Sequence, residues 1–281
     1  MHTAVVLAVG LMLKFTQGEN NMMKKKIVLM LALCSAYGLS YAAGANSDAY
    51  FDGFYGQLEV GLGSQSNTNT WAYGGSYQGT DWSDSYQTQY GKINPQYAVS
   101  VGYSKKIFDF AGDNDINLAI NFTYNATAGD SGKNTSAYAY NDGQNTYLGQ
   151  GTYSTKTNNI YALTLEPGYY LSKHGLGYLK LGWAQGQTTM TQNYSWTGGN
   201  NYNQNYNFGN QSGLLFGFGF KHGLNAAHPN IFWGIEAYQI NMRSKTITAD
   251  SNCATYGYSC TLTSQPTLLF GKVHIGYMFG H

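Results

Sequence analysis

The chain has 281 residues, only 10% of them charged, with 36 glycines, 26 tyrosines and 4 prolines. Soluble domains carry roughly 25% charged residues, and a net charge of +1 leaves no electrostatic footprint for a nucleic acid. Beyond the N-terminus no run reaches the ~20 apolar residues that a membrane helix needs, so strands and loops must supply the fold.

The first element is a targeting segment. Met22 and Met23 lead into Lys24-Lys25-Lys26, a short apolar stretch runs from Ile27 to Leu33, and Ser40-Tyr41-Ala42 places small residues at the −3 and −1 positions of a cleavage site. That order is a signal peptide over 22–42, and the stretch is too short for a membrane anchor. Residues 1–21 carry a separate apolar run, Ala4 to Leu13, and read as an upstream extension from a start assigned too early. Removing 1–42 takes away Lys14, Lys24, Lys25, Lys26 and Glu19. The counts of 15 basic and 14 acidic residues then become 11 and 13, and the net charge turns from +1 to −2. The mature chain, 43–281, is one domain.

Eight segments of period-two alternation follow, the signature of a strand with unlike faces. The first sets Phe54, Leu58, Val60 and Leu62 against Tyr55, Gln57 and Glu59. The second sets Tyr97, Val99, Val101 and Tyr103 against Ala98, Ser100 and Gly102. The third, 116–126, is the cleanest, with Ile116, Leu118, Ile120, Phe122 and Tyr124 opposite Asn117, Ala119, Asn121, Thr123 and Asn125. Tyr161, Leu163, Leu165 and Tyr169 oppose Ala162, Thr164, Glu166 and Gly168 in the fourth. Leu179, Leu181 and Trp183 oppose Tyr178, Lys180 and Gly182 in the fifth. The sixth places Leu214, Phe216, Phe218 and Phe220 opposite Gly217, Gly219 and Lys221. In the seventh, Glu236 decides the phase and leaves Ile231, Trp233 and Ile235 on the other face. The eighth sets Val273, Ile275, Tyr277 and Phe279 against Lys272, His274 and Gly276.

Each segment is about ten residues, enough for a tilted strand to cross a bilayer. Small and polar residues on one face with large apolar residues on the other match a barrel packed inside and greasy outside. Hydrocarbon tolerates no unpaired strand edge, so such strands must close on themselves. The connections alternate in length: long at roughly 64–95, 127–158, 186–212 and 243–266, short at 105–115, 172–177 and 222–230. Long outer loops, short inner turns and two periplasmic termini are expected of an eight-stranded antiparallel up-and-down transmembrane β-barrel. Ten strands is the alternative, because 68–90 is able to prolong a hairpin above the membrane.

Taken together, the signal peptide, the eight alternating segments and the last strand, Lys272-Val273-His274-Ile275-Gly276-Tyr277-Met278-Phe279, resemble the small bacterial outer-membrane β-barrel proteins. That group holds the OmpA transmembrane domain and the opacity-type porin family. The resemblance implies residence in the outer membrane and contact with its lipid and lipopolysaccharide. It also implies an assembly signal, around Lys272, Tyr277 and Phe279, read by the barrel-assembly machinery. This strand departs from the family pattern at His274, where glycine is usual, and in Gly280-His281 after the terminal aromatic.

On these phases Glu59, Glu166, Lys180, Lys221, Glu236, Lys272 and His274 face the lumen, where unpaired charges are costly and an ion network is expected. A structural plug and a narrow passive pore for small solutes are the two readings of that network. An enzyme is not expected: His174, His222 and His228 fall in or beside the short turns, and no nucleophile–base–orienter set assembles. Cys253 and Cys260, the cysteines of the mature chain, are expected to form a disulfide in an oxidising envelope; with only two thiols, no metal or cofactor site is expected. Trp183, Trp233, Tyr97 and Tyr169 are expected at the membrane interfaces. The four outer loops, neutral and rich in Tyr, Asn, Gly, Ser and Thr, suit adaptable contacts with an extracellular or host ligand, an adhesin-like role.

Overall fold

The computed structural model describes residues 50–77, 80–110, 114–127, 129–141, 146–196, 201–224, 230–249 and 259–279; the signal-peptide segment, the upstream extension and Cys253 lie outside them. Ten strand segments make up almost all of this: β1 Gly53–Tyr77, β2 Thr80–Phe110, β3 Asn114–Asn125, β4 Gly129–Asn141, β5 Thr146–Ser172, β6 Gly175–Trp196, β7 Asn201–Gly223, β8 Ile231–Met242, β9 Lys245–Thr248 and β10 Ser259–Phe279. They pair antiparallel in the order β1-β2-β3-β5-β6-β7-β8-β10, and β10 returns to β1 from Phe54↔Phe279 up to Gly74↔Ser259. The ring is closed. β4 carries on the wall begun by β3 and pairs with β5, while β9 carries on from β8 and pairs with β10. Ten segments therefore make eight staves, which disposes of the ten-strand alternative.

The outward faces divide sharply at one height. Below it stand Leu58, Val60, Leu62, Tyr97, Val99, Ile120, Phe122, Leu163, Leu165, Leu179, Leu181, Leu214, Phe216, Val273 and Ile275, all large and exposed. Along the same faces above it come Ser64, Ser66, Thr68 and Thr70 on β1, Gln185, Gln187, Thr189 and Thr191 on β6, and Gln265 and Thr263 on β10. On β5 the apolar part runs from Tyr161 to Tyr169; nine residues at 3.3 Å each and a tilt near 40° rise roughly 20 Å, close to the apolar band of a membrane barrel. The whole of β1, 25 residues, rises roughly 60 Å on the same geometry. The walls thus stand far above the band.

Three of the expected long loops are therefore mostly wall: 64–77 and 80–95, 129–141 and 146–158, 186–196 and 201–212 are all strand, and only 243–266 keeps a long connection between its strands. The ten-residue estimate of strand length needs the same correction. Its physical cause is plain. Above the band the outward face turns polar and the inward face mixes polar with scattered apolar residues, so the hydrophobic alternation fades while β-pairing continues.

At this height the barrel also parts. β2 and β3 stay paired up to Ala98↔Asn125, and β7 and β8 up to Gly213↔Met242. Among the described residues β2 then pairs only with β1, β4 only with β5, β7 only with β6 and β9 only with β10. The upper part is two four-stranded sheets, β9-β10-β1-β2 and β4-β5-β6-β7, facing each other. Side chains stitch the base of the two seams: Asn94 Nδ2 donates to the Asp130 carbonyl at 2.7 Å, and Gln211 Nε2 donates to the carbonyls of Arg243 at 3.1 Å and Ser264 at 2.9 Å. Bulges cluster here as well, at Gly132 (φ +80°), Asn159 (φ +49°) and Gly209 (φ +64°), where a bulge bends a strand and raises its twist.

Candidate functional site: a charged layer inside a filled bore

Inward positions on all eight staves converge on the bore, and the side chains fill it in five layers. The lowest is apolar: Phe51, Tyr55, Ala119, Tyr170, Leu176, Phe232 and Met278. Phe51 comes from the segment before β1 and corks the mouth, its N–H donating to Tyr170 Oη at 3.0 Å and its carbonyl accepting from Asn117 Nδ2 at 2.8 Å and Ser104 Oγ at 3.0 Å.

Above it lies the charged layer. Lys221 Nζ is 2.9 Å from Glu166 Oε2; Lys180 Nζ is 2.8 Å from Glu236 Oε2 and 3.6 Å from Glu166 Oε1; Lys272 Nζ is 2.8 Å from Glu59 Oε2. Three cations balance three anions, all six side chains buried. Hydroxyls and amides take most of the remaining valences, Glu236 Oε1 having no hydrogen-bond partner among the described residues. Tyr178 Oη donates to Glu236 Oε2 at 3.1 Å, Tyr55 Oη to Glu166 Oε2 at 3.3 Å, Gln57 Nε2 to Glu59 Oε1 at 2.9 Å and Lys272 Nζ to Asn125 Oδ1 at 2.6 Å; Ser100 Oγ also donates to Glu59. Lys221 sits over the rings of Tyr55 and Tyr178, 4.4 and 4.6 Å from their centroids. An opposite charge at 2.8–2.9 Å for each of the six is what lets them stay in a buried interior.

The aromatic rings of this layer fit because glycine faces them across the ladder. Tyr55 pairs with Gly102 and Tyr178 with Gly219, and a Cβ at either glycine would fall 2.4 Å from the facing ring. An aromatic side chain over a bare glycine also covers the backbone that the glycine exposes.

The third layer is apolar again, with Ile160, Ala162, Ala184, Leu215, Tyr238, Ile240, Met242, Leu268 and Phe270. A polar layer of Gln65, Asn67, Asn69, Thr155, Thr157, Thr188, Gln211 and Ser264 follows, all buried. The fifth, between the two upper sheets, holds Trp71, Tyr153, Met190, Tyr206, Phe208, Ala249, Cys260 and Leu262. The charged layer is thus sealed above and below by hydrocarbon and aromatic rings. Six of the seven lumen residues named from the alternation meet in one network. His274 lies beside them, buried between Phe232 and Gly234, and neither of its ring nitrogens has a hydrogen-bond partner among the described residues.

The expected interface aromatics are on the outer face: Tyr97 and Trp183 at the upper edge of the apolar band, and Tyr169 and Trp233 near the lower edge beside Tyr277 and Phe279. Cys260 is buried on β10; its expected partner lies outside the described residues. At the lower rim His174 and His222 stand 6.5 Å apart between ring centroids. Partial burial, with His222 and Lys173 nearby, holds the His174 imidazole below its ordinary value. Among the described residues no group of three or more His, Cys, Asp or Glu is placed to hold a metal ion.

A closed ladder, an exposed apolar band and a buried polar interior decide the class. The chain is a membrane-spanning β-barrel.

No protein-family model matches the chain, and no curated protein sequence matches it. Among solved structures it is similar to Ail, the attachment invasion locus protein of Yersinia pestis, in complex with the heparin analogue sucrose octasulfate (14% identity, TM-score 0.25, 79% of this chain and 99% of that one). Neisserial surface protein A (12%, 0.27, 79% and 99%) and the outer-membrane protease OmpT of Escherichia coli (11%, 0.28, 85% and 100%) are also similar. The barrel described above stands on this chain's own strand pairings.

Sequence reasoning missed the Phe51 cork and the Trp71 layer. Phe51 precedes the first alternating segment, and Trp71 lies in a stretch polar on both faces. The absence of proline between Thr68 and Tyr90, with recurring Thr, Tyr and Trp, is the β-propensity signal that marks this arm.

Proposed function

We propose that this is a structural outer-membrane barrel whose bore does not conduct and whose upper two-sheet head makes surface contacts with an extracellular ligand, an adhesin-like role. The observation that carries this is the stratified bore. A solute path needs continuous polar lining, and two apolar layers interrupt it on either side of the ion network. The roughly 60 Å walls support the second half of the reading, since a purely lipid-anchoring barrel has no use for a head with its own apolar interior. In this reading both termini are periplasmic, the head is extracellular, the last strand engages the barrel-assembly machinery, Cys253–Cys260 is a disulfide and no reaction is catalysed.

The test is conductance in a planar bilayer, paired with protease accessibility of the head on whole cells. The expected result is no steady current, with cleavage in the upper connections from outside. Steady currents that change in Glu166→Gln or Lys180→Met overturn the plug in favour of a narrow pore.

A further inference from the structure

The turn joining β5 to β6 and the lower end of β7 bring two imidazoles together at the rim opposite the head. Gly175 pairs with His222 across the ladder, and the Gly223 N–H donates to the His174 carbonyl at 2.8 Å. Main-chain bonds thus hold His174 and His222 as neighbours, with ring centroids 6.5 Å apart. His222 Nδ1 lies 2.9 Å from the same His174 carbonyl. A carbonyl has no proton to give, so Nδ1 carries the hydrogen and Nε2 keeps its lone pair. Metal-ligating histidines are fixed in this way, the second nitrogen donating to a main-chain oxygen. Among the described residues neither His222 Nε2 nor either ring nitrogen of His174 has a hydrogen-bond partner.

The rings are also held from the sides. Phe220 stacks on His222 with centroids 6.1 Å apart, and Trp233 meets it edge-on at 6.1 Å. Tyr50 packs on His174 at 5.4 Å and is itself anchored by its hydroxyl, which donates to the Ile231 carbonyl at 2.7 Å. Both imidazoles are half-buried, so water reaches them, and the neighbouring Lys173 is exposed, where solvent screens its charge. Imidazole suits zinc and copper, whereas calcium and magnesium take oxygen ligands. Two imidazoles sharing one ion at about 2.0–2.1 Å stand roughly 5–6 Å apart between centroids, so a side-chain movement of roughly 1 Å closes the pair.

We propose that His174 and His222 form a two-imidazole site for a borderline divalent cation, zinc or copper(II), with water in its remaining positions. The bound ion clips the β5–β6 turn to β7 and, through Tyr50, braces the Phe51 cork across the lower mouth. The site depends neither on whether the bore conducts nor on which way the head points, so its test is separate from those above.

The mature barrel, without an affinity tag and stripped with chelator, is folded in uncharged detergent, and heat-modifiable gel migration verifies the folding of each variant. Zinc is titrated by calorimetry and copper(II) by quenching of tryptophan fluorescence. The wild type should bind one zinc per chain, bind copper(II) more tightly, ignore calcium and magnesium, and melt at a higher temperature with zinc. Copper(II) should quench a component of the fluorescence that is missing in Trp233→Phe, Trp233 being one of five tryptophans. Losing a ligand costs at least what losing an outer-shell partner does, about 10–100-fold, so His174→Gln and His222→Gln should each weaken zinc binding at least about 10-fold. A chelate needs both rings, so the double variant should bind little worse than either single one. No saturable zinc binding by the wild type, unchanged affinity in either single variant, or equal binding of calcium would overturn the assignment. Losses that add in the double variant would overturn it in favour of adventitious binding to separate histidines.

Discussion

Removing one member of the Glu166–Lys221 pair should cost far more than removing both. In Glu166→Gln, Lys221 loses the carboxylate at 2.9 Å and keeps only the Tyr55 hydroxyl at 3.3 Å and two ring faces. The layer is left with three cations and two anions. Breaking a buried pair in this way costs about 3–5 kcal/mol. Lys221→Met should cost about 3 kcal/mol, toward the lower end, because Glu166 retains Lys180 at 3.6 Å. The double variant restores charge balance with neutral groups of similar volume and should cost no more than about 1 kcal/mol, so the coupling energy should be about 5 kcal/mol or more. Urea unfolding of the barrel in liposomes, followed by tryptophan fluorescence, measures all four corners of the cycle. Single variants costing under ~1 kcal/mol, or additivity within ~0.5 kcal/mol, would mean that the charges are hydrated. The sealed-layer argument would then fail along with the prediction of no current.

Gly219→Ala should destabilise the barrel by about 1–3 kcal/mol by forcing the Tyr178 ring aside, less so in a Tyr178→Leu background. Gly271→Ala, where a Cβ meets nothing within 4 Å, should stay within about 0.5 kcal/mol in the same urea titration. Phe51→Ala should cost about 3–5 kcal/mol, and a loss below ~1 kcal/mol would show that the cork is not packed as described. For Cys253 and Cys260, alkylation without reductant should add no mass and alkylation after reduction should add two labels. His174 is held below its ordinary value in the folded chain, so the unfolded chain binds the proton more readily. Stability from this group is then complete above roughly pH 6.5 and declines as pH falls below it; a thermal melt at pH 7 and pH 5 should show a loss that His174→Gln lacks.

What was legible in the sequence is what contrast makes visible. Ile116 to Tyr124 alternates large apolar with small polar side chains because one face meets lipid and the other the bore, and all eight staves declare themselves so. The single carboxylate at position 236 set the phase of β8 correctly, since a lone Glu is far too costly on a lipid face. The upper wall gave no such contrast. From Ser64 to Thr70 every residue is polar, although Gln65, Asn67 and Asn69 are buried and Ser66 and Thr68 lie outside. Two polar environments cannot be told apart by hydropathy. The ion network was legible in its members but not in its pairing: nothing in the spacing says that Lys180 bridges Glu236 and Glu166 while Lys272 takes Glu59. The parting of the barrel was equally hidden, because it depends on which edges stop pairing and not on any local motif.

The bulges on β4, β5 and β7 have a consequence for how such a chain tolerates change. In a strand, one inserted residue exchanges inside for outside along everything that follows. Gly132, Asn159 and Gly209 sit where β4, β5 and β7 already carry an irregular count, at the frontier between lipid-facing and water-facing wall. An insertion or deletion in the head above them is absorbed at that frontier, and the greasy face below keeps its phase. Those arms of the head are free to diversify while the membrane anchor is held constant.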